Sequence, residues 1–442
     1  MAAITSTGDV EQYREATLAA HHQDGQYWAP ATAKQQKMEH NCYSLQTECE
    51  NVCFEQFPFI KRWLGDASAR AFQRIDSIPP SKSGITVPTG VYNTWPGFFA
   101  ETLPPVPDDA VQELVRPVLN HIRDVITGPD HLGYVIAWLA QQVQEPATPT
   151  GVAIVLHGLE GTGKDIIFDF FIHKVLGERT GFKTSNPSKD IFGDHSVALQ
   201  NRVLVLVDEA SGEVMRPIKE RVKDLITSST VHINKKNRDP YDIRNLTNMV
   251  LTSNQQNPVQ IDPQERRFVV FETNASKKGD SEYFQGLGQH LKRDVVSRGF
   301  FQYLRDHVDV RPYTPFQAHR PKTDAYAAMQ QRNIPLFCKF LSAQAEYNLG
   351  PGGSEQTVLM GKEIYHCFLE WGREGNYTTK NFTMSRFGSE LQKFITEMTA
   401  TDPLQNALTK RRSGGGQRYT VNWRKLRAAL QATARYDPNA AV

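Results

Sequence analysis

The middle of the chain alternates short apolar runs with amphipathic stretches. Four of the runs, at 152–156, 203–207, 248–252 and 268–271, are rich in β-branched residues and show no polar alternation. Strands that are buried on both faces have this pattern, as in a parallel sheet covered by helices. We therefore predict an α/β domain over residues 151–310, with a parallel sheet flanked by helices.

The segments before this domain are first polar and then rich in turns. Residues 1–56 carry few apolar positions and are helical only in patches. Residues 57–150 form a loop-rich, aromatic region that we expect to be collar-like. Within it, spaced apolar positions predict helices over 108–126 and 131–143.

A further domain is predicted over residues 335–442. Two helical stretches, 356–375 and 384–398, precede a basic, glycine-tipped hairpin around 410–419. Helix, helix and then hairpin is the order of a winged helix, which places a helix in a DNA groove. We therefore expect a winged-helix-like C-terminal domain.

Composition narrows the functional classes. The chain of 442 residues is too long for one core, and its 39% hydrophobic and 22% charged residues exclude wholesale disorder. The formal net charge is only +2, so nucleic-acid binding must rest on local basic patches. Because no apolar run approaches roughly 20 residues and no signal peptide is recognisable, we expect a cytoplasmic protein with no membrane contact.

Cysteines offer little chemistry. Their number, five, is odd and argues against a disulfide framework. His40, Cys42, Cys49 and Cys53 are potential zinc ligands, but their spacing fits no standard zinc ribbon or finger. We expect ordinary reduced thiols.

A glycine-rich loop between a predicted strand and a predicted helix is the strongest chemical signal. In this context successive backbone N–H groups can surround phosphate oxygens, and the lysine can reach the β- and γ-phosphates. The alternative is a strand-to-helix turn without a ligand. The candidate ATP-binding residues are Gly158, Glu160, Gly161, Thr162, Gly163, Lys164 and Asp165.

One position of this loop departs from the usual pattern. Asp165 stands where Ser or Thr normally supplies a hydroxyl to Mg²⁺. A carboxylate can also hold Mg²⁺, but it adds negative charge beside the triphosphate. Either the metal balances the negative charge of Asp165 or nucleotide binding is weakened.

Polar residues follow two of the predicted strands. Asp208 suits Mg²⁺ coordination and Glu209 suits polarising the attacking water, because ligands bind at the carboxyl ends of parallel strands. Asn254 ends the next strand and could orient water against the γ-phosphate, although alone it reads as a turn residue. Arg266 and Arg267 precede the last strand; they are either an arginine finger for an adjacent subunit or a surface pair bridged to Glu265.

Two basic turns are candidate DNA contacts. Alternation around residues 230–244 predicts a β-hairpin with Lys235, Lys236 and Arg238 at its tip, where cations can follow phosphates. A solvated surface hairpin is the alternative. The C-terminal hairpin carries Arg411, Arg412 and Arg418 beside three glycines, and a flexible loop without a DNA role is equally compatible.

In this order, the elements resemble those of superfamily 3 helicases of the AAA+ class, and most closely the helicase domains of phage and large-virus primase-helicases of the poxvirus type. The resemblance covers roughly residues 57–309. The segments that carry it are 90–98, 138–140, 161–164, 208–210, 252–254 and 265–268.

The resemblance implies a P-loop AAA+ sheet and a hexameric ring, with ATP and Mg²⁺ held between subunits and single-stranded or forked DNA in the channel. It makes Lys164 the Walker A lysine. It makes Arg267 the first candidate for the arginine finger and Arg266 the second. It also implies that the basic hairpin lines the channel and that a separate primase or polymerase is a partner. The remaining roles are Walker B acids for Asp208 and Glu209 and sensor asparagine for Asn254.

Three functional hypotheses follow. The first is an ATP-dependent DNA helicase or translocase of viral or phage replication. The second is a nucleotide-gated DNA-binding scaffold in which Asp165 blocks efficient hydrolysis. The third, a small-molecule P-loop kinase, leaves the basic hairpins and the arginine pair unexplained.

Overall fold

A computed structural model describes most of the chain from residue 72 onward. The residues described are 53–54, 57–58, 72–193, 197–235, 240–262, 265–379, 381–399, 407–413, 416–433, 435 and 437. They form two compact units. The first runs to Gln255 and includes Phe271–Pro321, and the second comprises Gln256–Val270 and the chain from Lys322.

Fourteen strands lie within these described residues. In chain order they are β1 (Cys53–Phe54), β2 (Phe57–Pro58), β3 (Arg74–Asp76), β4 (Val91–Asn93), β5 (Ala153–His157), β6 (Gly181–Thr184), β7 (Leu204–Val207), β8 (Thr230–Ile233), β9 (Tyr241–Arg244), β10 (Asn248–Ser253), β11 (Phe268–Glu272), β12 (Gln356–Met360), β13 (Leu408–Ser413) and β14 (Gly416–Asn422).

The same residues contain thirteen α-helices, of which the first, third and eighth continue as π-helical turns over Ile122–Thr127, Phe171–Leu176 and Tyr303–His307. The α-helices are α1 (Asp108–His121), α2 (Leu132–Gln144), α3 (Ile166–Phe170), α4 (Pro187–Asp190), α5 (Gly212–Met215), α6 (Lys219–Thr227), α7 (Ser281–Leu291), α8 (Asp294–Gln302), α9 (Asp324–Arg332), α10 (Leu336–Leu349), α11 (Gly361–Glu374), α12 (Met384–Thr399) and α13 (Trp423–Ala432).

A five-stranded sheet forms the centre of the fold, in the order β11-β5-β10-β7-β6. The pairs β5–β10, β10–β7 and β7–β6 are parallel, and every residue of β5, β7 and β10 is buried. Helix α2 is buried along most of its length, and its Trp138 Nε1 donates to Val152 O at 3.0 Å. The predicted α/β fold, a parallel sheet flanked by helices, is confirmed.

The predicted basic turn is a β-hairpin. Strands β8 and β9 pair antiparallel, with Val231 opposite Ile243. Its tip, 236–239, lies outside the described residues. At its base, Arg244 N donates to Asp76 Oδ1 at 2.9 Å, and Asp76 is itself buried in β3. The hairpin is therefore fastened at one end to the small β3–β4 sheet.

The C-terminal part of the second unit packs three strands against helices. Strands β12, β14 and β13 form an antiparallel sheet in that order, over a core rich in aromatic residues such as Phe340, Phe368 and Trp371. Helix, helix and hairpin follow one another as predicted, in α11, α12 and β13–β14.

One predicted boundary in this unit is wrong. The stretch 356–375 was expected to be helical throughout, yet 356–360 form β12 and the helix begins at Gly361. The β-branched Thr357 and Val358 pair with Val421 and Thr420 of β14, so cross-strand bonding outweighs the helical spacing of the apolar residues. Helix α10 and strand β6 were not predicted at all.

Among the helices that the structure describes, none combines the length and the apolar character needed to span a membrane.

The domain boundaries expected from the sequence, at residues 56, 150, 310 and 335, stay a prediction, because the division into two compact units does not by itself fix domain boundaries.

Candidate active site

The glycine-rich loop joins β5 to α3 and is shaped by close approaches. Gly163 has φ +81°, and a Cβ there would lie 2.4 Å from Cε1 of Phe284. A Cβ on Gly158 would lie 2.2 Å from Thr273 Oγ1. Both positions therefore require glycine. Leu159, Glu160 and Gly161 form the exposed outer part of the loop, whereas Lys164 is buried.

A buried histidine hydrogen-bonds to the backbone of the glycine-rich loop. His121, at the end of α1, has Nε2 2.9 Å from the Gly163 carbonyl oxygen and Nδ1 2.8 Å from the Tyr283 hydroxyl. A carbonyl can only accept, so Nε2 carries the proton and Nδ1 accepts from Tyr283. Burial lowers the pKa of His121, against the opposing effect of the Gly163 contact, which favours this neutral form.

The loop lysine meets the predicted sensor asparagine. Lys164 Nζ donates to Asn254 Oδ1 at 2.5 Å and to Leu159 O at 3.4 Å. Asn254 directly follows β10, which is the neighbour of β5 in the sheet. The strand order thus brings together two residues that the sequence separates by 90 positions.

Asp208 is oriented by two neighbouring strands. Its Oδ1 accepts from Thr252 Oγ1 at 2.6 Å, and its Oδ2 lies 3.1 Å from Lys183 Nζ. Burial raises the pKa of Asp208, but the Thr252 and Lys183 contacts, with the Glu209 N–H, outweigh it and lower the pKa below the usual value. Asp208 is therefore an ionised carboxylate held in one orientation at the carboxyl edge of the sheet.

Glu209 adopts a backbone conformation that glutamate rarely takes. Its φ is +54°, in the left-handed region, and its side chain is exposed. The turn is fixed by Ala210 N donating to Thr252 O at 2.7 Å and by Ser253 Oγ donating to Ala210 O at 2.6 Å. This conformation costs roughly 1–2 kcal/mol for a residue other than glycine, and such strain concentrates at functional sites.

Three carboxylates surround one ammonium group next to the loop. Lys183 Nζ lies 2.9 Å from Asp169, 3.1 Å from Asp208 and 3.8 Å from Asp165. The ammonium lies within 4 Å of both Asp165 and Asp208, and carboxylate oxygens are the ligands that Mg²⁺ prefers. No group of three or more His, Cys, Asp or Glu suited to a metal is present in the described part of the chain. Mg²⁺ would therefore take one or two carboxylates here, with the rest of its shell from phosphates and water.

The arginine pair lies in the second unit and is arranged unequally. Arg267 NH1 is 3.3 Å from Oε1 of Glu265, whose side chain is only 2% exposed. Tyr326 of α9 donates to Glu265 O at 2.6 Å and fixes the segment. Arg266 is exposed. The chain therefore commits Arg267 to its own buried carboxylate and leaves the Arg266 side chain pointing to solvent.

Of the hairpin cations, only Lys235 is described. Its Nζ lies 5.9 Å from the centre of the Tyr241 ring, and His232 and Asp242 pair across the strands at 2.8 Å. Lys236 and Arg238 lie outside the described residues.

The C-terminal hairpin concentrates positive charge. Arg411 of β13 stands directly opposite Arg418 of β14, and both are exposed, as is Arg412. Like charges in opposed positions destabilise a hairpin unless an anion compensates them. Lys410 Nζ donates to Gln392 Oε1 of α12 at 2.9 Å, which ties the hairpin to that helix.

Sequence reasoning missed several residues of this site. Lys183 contacts Asp169 and both predicted acids, and His121 contacts the glycine-rich loop. Of these residues only Asp169 is close in sequence to a predicted residue, because it lies one helical turn after Asp165. That i, i+4 spacing was the only local signal. Three of the four potential zinc ligands, His40, Cys42 and Cys49, lie outside the described residues, and Cys53 is described only as part of β1.

The fold and site define a mixed α/β protein with a five-stranded sheet and a glycine-rich loop at its carboxyl edge. The chain matches a family of unknown function, DUF5906, over residues 156–267, which includes the loop, Asp208, Asn254 and both arginines. It is also related to the DNA primase-polymerase of Nitratiruptor phage NrS-1, with 29% identity over 201 residues. That match covers 45% of this chain, and the chain spans about a quarter, 27%, of the relative's length.

Solved structures of the NrS-1 C-terminal region share the fold. One apo structure superposes with a TM-score of 0.53 at 18% identity, covering 82% of this chain and 89% of that one. A second apo structure, described as the A form, gives a TM-score of 0.54 at 18% identity over 86% and 90% of the two chains.

Proposed function

We propose that the protein is an ATP-dependent DNA translocase or helicase of phage DNA replication, built on a P-loop AAA+ sheet and working as a hexameric ring. The replication role is supported by the relationship to the phage primase-polymerase. The observation that carries the ATPase assignment is the convergence of Lys164, Asn254 and Asp208 at the ends of three adjacent strands.

In this proposal each residue acts on a bound nucleotide through position and charge. Lys164 exchanges its contact with Asn254 for the β- and γ-phosphates, and the freed Asn254 amide orients water. Glu209 accepts a proton from that water. Asp208 and Asp165 are the residues that would hold Mg²⁺, which would neutralise part of the phosphate charge. Hydrolysis then depends mainly on electrostatic positioning.

DNA is gripped at two basic surfaces in this proposal. The β8–β9 hairpin follows the phosphates of a single strand inside the ring. Its base is held by the hydrogen bond from Arg244 N to Asp76, so that the hairpin can move about this fixed end. The hairpin β13–β14, here called the wing, contacts backbone phosphates without reading sequence. A separate primase or polymerase is the expected partner.

The test is ATP hydrolysis by the purified chain, measured with and without single-stranded DNA. We expect Mg²⁺-dependent hydrolysis that DNA stimulates about tenfold or more, and particle images with ATP and forked DNA that show rings. Absence of hydrolysis with intact DNA binding would contradict the translocase. Phosphorylation of a nucleoside would instead identify a kinase.

A second candidate, a nucleotide-gated scaffold, is favoured by one specific observation. Lys183 Nζ lies within 4 Å of both Asp165 and Asp208, the two acids proposed here to hold Mg²⁺. If the ammonium stays there with ATP bound, the nucleotide assembles the protein on DNA without being hydrolysed. Hydrolysis in the experiment above separates the two candidates.

Removing the paired wing arginines is expected to weaken DNA binding in a salt-dependent way. Arg411→Ala with Arg418→Ala removes two opposed guanidinium groups that need anions. We expect lower affinity for every DNA sequence. The negative slope of log affinity against log salt should become shallower by about 1.4–1.8, at about 0.7–0.9 per lost phosphate contact.

The matched control is Arg424→Ala. Arg424 is exposed in the same unit but is paired with Glu355 at 3.5 Å. Binding is measured by fluorescence anisotropy at several salt concentrations. An unchanged slope in the double variant would mean that the wing does not contact phosphates.

A further inference from the structure

Lys183 faces three carboxylates within 4 Å, those of Asp165, Asp169 and Asp208. It stands on β6, the edge strand that pairs in parallel with β7, and this register sets Lys183 beside Leu206, two residues before Asp208. Its side chain is 29% exposed, so it lies at the border of the site and not on the open surface.

The contacts are graded. The shortest is to Asp169, at 2.9 Å, followed by Asp208 at 3.1 Å and Asp165 at 3.8 Å. Asp169 lies one helical turn after Asp165, and its backbone N donates to Asp165 O at 2.9 Å. One ammonium group therefore contacts both acids proposed to hold Mg²⁺, Asp165 and Asp208, and also a third acid, Asp169.

The charges show why this lysine is needed. Lys183 carries a positive charge, and its Nζ lies at hydrogen-bond distance from Asp169 and Asp208, at 2.9 and 3.1 Å. Without Lys183, three carboxylates would face one another with no cation between them.

We propose that Lys183 is a positioning residue that holds the place of the divalent cation between Asp165 and Asp208 until the metal–nucleotide complex enters. The ammonium then moves to Asp169 alone. The two cations cannot share one position, because like charges within a few ångströms repel strongly. Asp169 keeps the ammonium close by after the exchange.

This role also gives a reason for Asp165. A hydroxyl residue at position 165 would carry no charge, and Lys183 would then face only two carboxylates. The carboxylate that departs from the usual loop pattern thus balances a cation supplied by the protein itself. This inference rests on the proposed nucleotide site, but it concerns the protein before nucleotide binds.

The experiment is a titration of the nucleotide-free full chain with Mn²⁺, followed by electron paramagnetic resonance. Lys183→Met removes the charge and keeps the length of the side chain. We expect it to bind Mn²⁺ at least tenfold more tightly than the wild type, because the cation position is vacated. Lys183→Arg keeps the charge and is expected to stay within about twofold of the wild type.

Lys174→Met is the matched control. Lys174 lies on the turn that follows α3 and pairs with a different carboxylate, that of Asp294, at 3.5 Å. Its Mn²⁺ affinity should equal that of the wild type. Equal Mn²⁺ affinity in Lys183→Met and the wild type would overturn the proposal.

Folding is checked by circular dichroism. Should Lys183→Met fold only when Mn²⁺ is present, the metal has replaced the ammonium and the proposal is supported; a variant that Mn²⁺ does not restore would count against it. ATP binding by the wild type is measured separately with a fluorescent nucleotide. Its absence would remove the proposed function while leaving the Mn²⁺ comparison valid.

Discussion

Replacing Glu209 by glutamine is expected to reduce ATP turnover by a factor of about 10²–10⁴ while ATP affinity stays within about twofold of the wild type. The variant keeps the size and shape of the side chain but loses the carboxylate that we propose accepts the proton of the attacking water, and general-base catalysis is worth about that factor. Glu209 is exposed at the end of β7, beside the oriented Asp208, where such a base is needed. The measurement is steady-state hydrolysis with saturating single-stranded DNA.

The control addresses the left-handed backbone of Glu209. Glu209→Gly relieves the strain at φ +54°, so its stability should equal or exceed that of the wild type by up to about 1 kcal/mol, although its unfolded chain is more flexible. It should nevertheless be as inactive as Glu209→Gln. Inactivity in both variants, with stability preserved, assigns the loss to the carboxylate and not to the turn.

A Glu209→Gln protein that keeps more than a tenth of wild-type turnover would contradict this role. Asp208 would then be the acid to test next, although its carboxylate is already engaged by Thr252 and Lys183.

The sequence predicted the parts of the site that lie at strand ends. Buried strands are recognisable from their apolar runs, and their carboxyl ends must meet at one edge of a parallel sheet. Asp208 and Asn254 could therefore be placed near Lys164 without a structure. The contact between Lys164 and Asn254 agrees with that placement.

Lys183 and His121 depend on contacts that leave no local pattern in the sequence. Lys183 lies on β6, a strand of only four residues whose sequence Gly-Phe-Lys-Thr has no apolar run. His121 reaches Gly163 across 42 positions, and its burial arises from packing against Tyr283 and Phe284 of α7. Side chains of this kind become visible only when elements distant in sequence are brought together.

The two arginines before β11 can be separated by their contacts. The family resemblance ranks Arg267 first as the arginine finger. In the structure Arg267 contacts the buried Glu265, and the side chain of Arg266 is exposed. We therefore propose Arg266 as the finger and Arg267 as its support. Arg266→Ala is expected to lower turnover about 10³-fold or more, which is the range of an arginine finger, with ATP affinity and stability unchanged.

Arg267→Ala is the comparison variant. It removes the guanidinium group that contacts the Glu265 carboxylate, whose side chain is only 2% exposed, so we expect a loss of stability of about 1–3 kcal/mol. Its turnover should fall less than that of Arg266→Ala. Reversed ranks, with Arg267→Ala stable but more severely inactive, would restore Arg267 as the finger.

Mixing subunits tests whether Arg266 acts on a neighbouring copy. Lys164→Ala subunits lack a working loop but carry Arg266, and Arg266→Ala subunits have the opposite defect, so each protein alone should be inactive. In a ring with shared sites, every Arg266→Ala subunit that faces a Lys164→Ala neighbour regains a complete site. Turnover of the mixture should therefore exceed the sum of its parts by at least tenfold. If mixing restores nothing, although both variants assemble together, the arginine serves its own subunit and the site is not shared.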